Sequence, residues 1–221
     1  MHTSERTLSA QHEVIAAPLN CSIFLTDIMG FGDPRRDDHD RADLRSALLL
    51  LLTDTFTKSG LPWRRCRHQD RGDGFLTIVP PTLSTTLLID PVLSVLSERL
   101  TQHNLETGGL GRMRLRCAIH VGPVQSDRGG FPNLSVIHAA RMLDSQPLRS
   151  SLMRTDTDLA VMASSYVYEA VVRHVRGPAA SREWRRSRYQ AKGVAITSWL
   201  YLPHQSPDAC QQGKQSGTEH R

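Results

Sequence analysis

Cysteine is scarce in this chain, and the four that occur, Cys21, Cys66, Cys117 and Cys210, show no C-x-x-C spacing. That argues against a disulfide framework, and three of the four lie in apolar strand-like runs where a buried free thiol is expected. Long hydrophobic runs are missing as well: the longest, Ala47 to Leu52, falls far short of the roughly 20 residues that cross a bilayer. No charged segment followed by an apolar one opens the chain, so a cytoplasmic protein is expected. Aromatic residues make up 5% of the sequence and never form the pattern of a single-strand RNA reader. The Gly-Gly pairs at 108–109 and 129–130 precede no G-K-[ST], which excludes a P-loop, and no serine stands in a G-x-S-x-G context.

Positive charge is plentiful. The formal net charge is +5, and Arg173, Arg176, Arg182, Arg185, Arg186, Arg188 and Lys192 crowd the C-terminal quarter. Nucleotides, nucleic acids and acidic membranes all fit such a charge, while a solvated basic hairpin explains the local run. A nucleic-acid reading rests on charge alone, so neither nucleic acid nor membrane is expected as a partner.

Two short acidic turns, about forty-five residues apart, each adjoin a strand-like run. The first is Ile23 to Phe31, with Asp27 near its centre; the second is Asp70-Arg71-Gly72-Asp73-Gly74, leading into Phe75 to Val79. If the two strands pair, Asp27 and Asp73 come close together, and carboxylates held that close repel unless divalent cations neutralise them. A two-metal site for phosphate chemistry is one reading. The other is structural: Asp27 caps a turn, and the Asp-Gly sequence is a hairpin signal.

At 221 residues the chain is read as one domain. Residues 1–20 are expected to be a disordered leader and 204–221 a disordered tail. Between them the pattern predicts a strand over 21–28, then a helix over 41–58 capped by Asp38 or Asp40, with Leu44, Leu48, Leu51, Leu52 and Thr55 or Phe56 facing the core. Strands follow at 63–68 and 75–79. A helical stretch over 82–103 is interrupted at Pro91, and a strand over 113–121 ends at Gly122-Pro123. In that strand Leu115, Cys117 and Ile119 alternate with Arg114, Arg116 and Ala118, which suggests one core face and one polar or interface face. A turn at 127–130, a helix over 134–144, a long connection through Pro147 to Asp158, a strand over 159–163, a helix capped by Ser164, and strands at 184–189 and 196–202 complete the reading. The implied fold class is α+β: a ferredoxin-like βαββαβ core with extra C-terminal strands, helices packed on one face of a mostly antiparallel sheet.

In this order the motifs resemble the catalytic domain of class III nucleotidyl cyclases, the adenylate and guanylate cyclase homology fold, over most of residues 21–203. Phe24-Leu25-Thr26-Asp27-Ile28-Met29-Gly30-Phe31 resembles the family's F-x-D-I-x-G-F opening with one extra residue before the aspartate, and Gly72-Asp73 resembles its hairpin Gly-Asp. Ala118-Ile119-His120-Val121-Gly122 resembles the I-H-x-G strand end, and Val136 to Leu143 resembles the V-N-x-A-A-R-L helix. Ser164-Ser165-Tyr166 and Ala191-Lys192-Gly193 fall where the family has a helix cap and a Lys-Gly. The wording around Gln69 to Gly74 is similar to small stand-alone actinobacterial cyclase-like proteins and to pyrimidine nucleotide cyclases of antiphage signalling.

The resemblance implies an enzyme that converts a nucleoside triphosphate to a 3′,5′-cyclic nucleotide and pyrophosphate, in an antiphage or stress-signalling setting. It implies two Mg2+ or Mn2+ ions per site, held by Asp27, the Ile28 carbonyl and Asp73. Arg141 is implied to stabilise charge on the α-phosphate. Gly30 and Phe31 are implied to cradle phosphates through backbone amides, Lys192 to touch the triphosphate, and Gln69 to meet the base. It also implies a head-to-tail homodimer, each subunit lending its aspartates to one site and its arginine to the other. Two slots depart from the family pattern. Ile137 stands where an asparagine is usual and cannot hydrogen-bond, which raises the alternative of a catalytically impaired nucleotide-binding regulatory module unless Asn133 or His138 substitutes. Gln69 stands where a purine-reading lysine is common, which allows an altered base preference.

Overall fold

A computed structural model of the chain describes residues 17–125, 130–131, 133–177, 179 and 183–203. The expected tail, the expected leader up to residue 16, Cys210, Arg182 and residues 127–129 of the expected turn lie outside the described residues. Among the described residues the sheet has seven strands in the order β2-β3-β1-β4-β5-β7-β6. These are β1 (Leu19–Ile28), β2 (Arg67–Asp70), β3 (Gly74–Val79), β4 (Leu115–Val124), β5 (Leu159–Ser164), β6 (Trp184–Ala191) and β7 (Val194–Tyr201). The β4/β5 pair is parallel and the other five are antiparallel.

The helices are α1 (Asp38–Lys58), α2 (Thr86–Ile89), α3 (Val92–Thr107), α4 (Leu134–Leu143), α5 (Gln146–Arg154) and α6 (Ser165–Ala170). With β1, β2, β3 and β4, helices α1 and α3 form the expected βαββαβ core. Along α1, Leu44, Leu48, Leu51, Leu52, Thr55 and Phe56 are all buried, the stripe that helical spacing predicts. They pack with α3 and α6 on the sheet face that carries Phe24, Ile28, Cys117 and Val161. Helices α4 and α5 cover the other face, against Ile23, Leu25, Leu76, Ala118 and Met162. The molecule is therefore three layers rather than a sheet with helices on one side, because the central strands are apolar on both faces and each face needs cover.

Several local expectations are corrected. The α1 N-cap is Asp37, which forms a capping box with Asp40. Trp63–Arg65 is a short helical turn, so Gln69 and Asp70 belong to β2. Strand β1 begins at Leu19, and β4 runs through Gly122-Pro123, which still pair with Cys21 and Asn20. The connection after α4 contains α5, with Pro147 in its first turn, a position where a missing N–H costs nothing. The supposed polar face of β4 is no free surface: Arg116 is buried within the chain. Among the described residues no helix is long and apolar enough to cross a membrane.

Candidate functional site

The two acidic turns meet at one end of the sheet. In the β1/β3 register Asp27 pairs with Gly74, and one step on the Ile28 amide donates to the Asp73 carbonyl at 2.8 Å. A side chain at position 74 has no space, since a Cβ would stand 1.9 Å from the Thr26 carbonyl oxygen. Glycine at that position is what lets the second turn close onto the end of β1. The structure divides the labour between the hairpin acids. Asp70 shapes the turn, its carboxylate accepting from the Gly72 amide at 2.8 Å and from Arg45 of α1 at 2.7 Å. Asp73 is exposed, and among the described residues its carboxylate accepts no hydrogen bond.

Asp27 is 6% exposed and has a partner that the sequence reading did not assign. Arg116 stands directly opposite it on β4 and donates through Nε to Oδ1 at 2.7 Å and through Nη2 to Oδ2. Burial raises the Asp27 pKa above its ordinary value; Arg116 pulls against that, and the charges of Asp73 and Asp144 push the same way as burial. Asp144, just beyond the C-terminus of α4, is thus a third carboxylate close enough to act on Asp27. Among the described residues no group of three or more His, Cys, Asp or Glu is already assembled for a metal. The donor set nevertheless suits a hard cation, with oxygen ligands and a surplus of negative charge. The residues fit such an ion once Arg116 yields Asp27.

The loop after β1 is held more firmly than expected. The Met29 amide donates to the Arg114 carbonyl at 2.8 Å and the Phe31 amide to the Ile28 carbonyl at 3.2 Å. The Met29 and Phe31 amides are therefore engaged within the chain, while the Gly30 amide makes no hydrogen bond among the described residues. Arg36 clamps the loop, donating to the carbonyls of Gly30, Leu110 and Arg112 at 2.6, 3.0 and 3.1 Å. The Ile28 carbonyl keeps a second lone pair for another ligand.

Arg141, Ile137 and Leu134 share the outward side of α4, at spacings of three and four residues, while Val136, Ala139 and Met142 face the sheet. Leu134 is 84% exposed and Ile137 44%. The Arg141 Nε is buried without a hydrogen-bond partner among the described residues. His138 packs against His120 of β4, the rings tilted by 47° with centroids 4.7 Å apart. Burial, and secondarily the charge of His138, lowers the His120 pKa to about 4, which suits a packed neutral ring rather than an acid-base catalyst. His68 is structural too: it lies on the Trp63 ring with centroids 3.5 Å apart, and its Nε2 is 2.9 Å from the Trp63 carbonyl.

Gln69 pairs with Leu76 and so shares the sheet face of Asp27. A Cβ added to Gly130 would stand 3.0 Å from its side-chain amide nitrogen, so the approach to α4 passes directly over it. Lys192 is elsewhere. It forms the tip of the β6/β7 hairpin, at φ +49° beside Gly193 at +78°, a two-residue turn of the kind that favours glycine. Strand order and register put that tip at the opposite end of the sheet from Asp27, four strands away, or about 19 Å at the usual strand spacing. One copy of the chain therefore brings Asp27, Asp73 and Gln69 together and leaves Lys192 remote. Arg116 and the role of Gly74 were missed because each depends on which strand lies opposite, and Asp144 because it depends on where α4 packs.

No protein-family model matches the chain, and no curated protein sequence matches it. Solved structures do. The guanylyl cyclase Cya2 superposes with a TM-score of 0.60 at 17% identity, covering 87% of this chain and 97% of that one. An adenylate/guanylate cyclase/hydrolase from Silicibacter pomeroyi gives 0.59 at 17% identity, covering 83% and 96%. The guanylate cyclase domain of RhGC from Catenaria anguillulae, solved in complex with GTP, gives 0.54 at 15% identity, covering 86% and 100%. The chain has the fold of adenylate and guanylate cyclase catalytic domains.

Proposed function

We propose that the chain is a metal-dependent nucleotidyl cyclase that makes a 3′,5′-cyclic nucleotide and pyrophosphate from a nucleoside triphosphate, acting as a head-to-tail homodimer in the cytoplasm, with antiphage or stress signalling as its setting. The observation that carries this reading is the meeting of Asp27 and Asp73 at adjoining strand ends, a closure that only glycine at position 74 permits. Asp27, Asp73 and the Ile28 carbonyl would hold two Mg2+ or Mn2+ ions. Bound there, the ions would supply the Lewis acidity that activates the ribose 3′-hydroxyl and neutralises the leaving pyrophosphate. In the reaction the 3′-oxygen bonds to the α-phosphorus, the bond from that phosphorus to the bridging oxygen breaks, and the hydroxyl proton passes to solvent.

Arg141 would supply a planar fork to the α-phosphate oxygens. Its Nε has no hydrogen-bond partner among the described residues, so the guanidinium is not committed within its own chain. Lys192, remote from Asp27 in its own chain, suits a role toward a partner copy's triphosphate. Gln69 and Gly130 would border the base. Gly30 and Phe31 would meet the phosphates on the loop that Arg36 clamps, with the Gly30 amide the one left to donate.

The test is incubation of the full chain with each of the four ribonucleoside triphosphates and Mn2+, followed by identification of cyclic products. The expected result is one cyclic nucleotide that disappears in Asp73→Ala. Metal-dependent nucleotide binding with no product from any triphosphate would instead establish the regulatory module that Ile137 suggests.

A further inference from the structure

Arg116 closes the site it belongs to. Both oxygens of Asp27 are taken by its guanidinium, and the two residues are 9% and 6% exposed. A cation arriving alone must break this buried bidentate pair and strand a guanidinium away from water, an expensive outcome. The pair is also incomplete. Among the described residues Arg116 Nη1 is buried with no partner, and the surrounding charge is unbalanced, because Asp73 and Asp144 also act on Asp27.

The geometry points to Arg116 as a latch: it withholds Asp27 from divalent cations until a polyphosphate engages the guanidinium. This rests on the reading of Asp27 as a metal ligand. Phosphate oxygens match the arginine fork as well as a carboxylate does and can use the spare Nη1 as well. Once the anion holds Arg116, Asp27 becomes available, and the cation then meets Asp27, Asp73 and the phosphates together. Cation and polyphosphate thus favour one another's binding, by the same factor in each direction. Arg116 is in this role a positioning residue for Asp27.

The test measures binding, not turnover. Mn2+ is titrated into the full chain without nucleotide, with free Mn2+ followed by electron paramagnetic resonance; in a separate arm, tripolyphosphate binding is measured calorimetrically in excess EDTA. Wild type is expected to bind Mn2+ weakly, and Arg116→Gln at least tenfold more tightly, the gain vanishing in Arg116→Gln with Asp27→Asn. Reciprocally, Asp27→Asn is expected to bind metal-free tripolyphosphate at least tenfold more tightly than wild type. The latch is overturned by wild-type Mn2+ binding that is already tight and lost in Asp27→Asn, by a folded Arg116→Gln within twofold of wild type, or by unchanged tripolyphosphate affinity in Asp27→Asn. The wild-type and Asp27→Asn arms stand even where Arg116→Gln does not fold. If Arg116→Gln gains Mn2+ affinity that persists without Asp27 and Asp73, the metal-ligand reading fails, and the latch with it.

Discussion

Gly74 and Arg141 make opposite demands on the chain. At Gly74 the backbone of β3 passes so close to β1 that a methyl group would overlap the Thr26 carbonyl oxygen at 1.9 Å. Gly74→Ala is expected to cost at least about 3 kcal/mol, since backbone rather than a flexible side chain must move. The denaturant midpoint would fall, and Mn2+ affinity in the presence of nucleotide would fall with it. Arg141 is half-buried on α4 with no ion-pair partner among the described residues, so Arg141→Ala should leave stability within about 1 kcal/mol of wild type. Its effect belongs to the reaction: a loss of about 100-fold or more in kcat, as for removal of one group that stabilises developing charge. Thermal melts and steady-state rates on the same preparation separate the two cases.

Helix α4 owes its seat to small and neutral groups beneath it. A Cβ at Gly122 would come within 2.4 Å of the Ser135 hydroxyl, so Gly122→Ala should tilt or lift the first turn of α4. The His120 and His138 rings fill the next layer, and His120 stays neutral in the folded protein down to about pH 4, against an ordinary value of 6.5. Its contribution to stability is complete above the unfolded value and is lost as pH falls from about 6.5 toward 4, because the unfolded chain binds the proton first. The melting temperature should drop by several degrees over that window. In His138→Gln, which removes one of the two causes of the shift, the drop should be shallower. On the opposite face, Asp37→Ala removes the capping box of α1 and should cost about 1 kcal/mol.

For the whole molecule the decisive fact is where the implied phosphate groups lie. Asp27 and Asp73 share one end of the sheet, Lys192 is at the other, and Arg141 stands on α4 with no ion-pair partner among the described residues. If two copies complete each other's sites, mixing inactive Asp73→Ala with inactive Arg141→Ala should restore activity. Random exchange of subunits puts one intact site in half of the dimers, so about a quarter of wild-type activity should return. No recovery after verified exchange would place both groups in a single-chain site or remove Arg141 from the reaction.

Much of this was legible in the residues. Helical spacing named Leu44, Leu48, Leu51 and Leu52 of α1 and one of Thr55 and Phe56, where the structure buries both, and Ser164 signalled the start of α6. These are local properties, set by periodicity and capping within a few residues. The ordered motifs also led to the cyclase fold and to the pair Asp27 and Asp73. What stayed hidden depended on register and layering. Arg116 looks like an outward residue of an alternating strand until β4 lies beside β1, where it faces Asp27. Asp70 and Asp73 are equivalent turn acids until Arg45 claims one of them. Helices α4 and α5 cover the second face only because the sheet, once formed, has an apolar surface left to bury. Spacing along the chain therefore accounts for the elements and the candidate carboxylates. Which cation sits against them, and which face each helix covers, is a matter of strands brought together from distant parts of the chain.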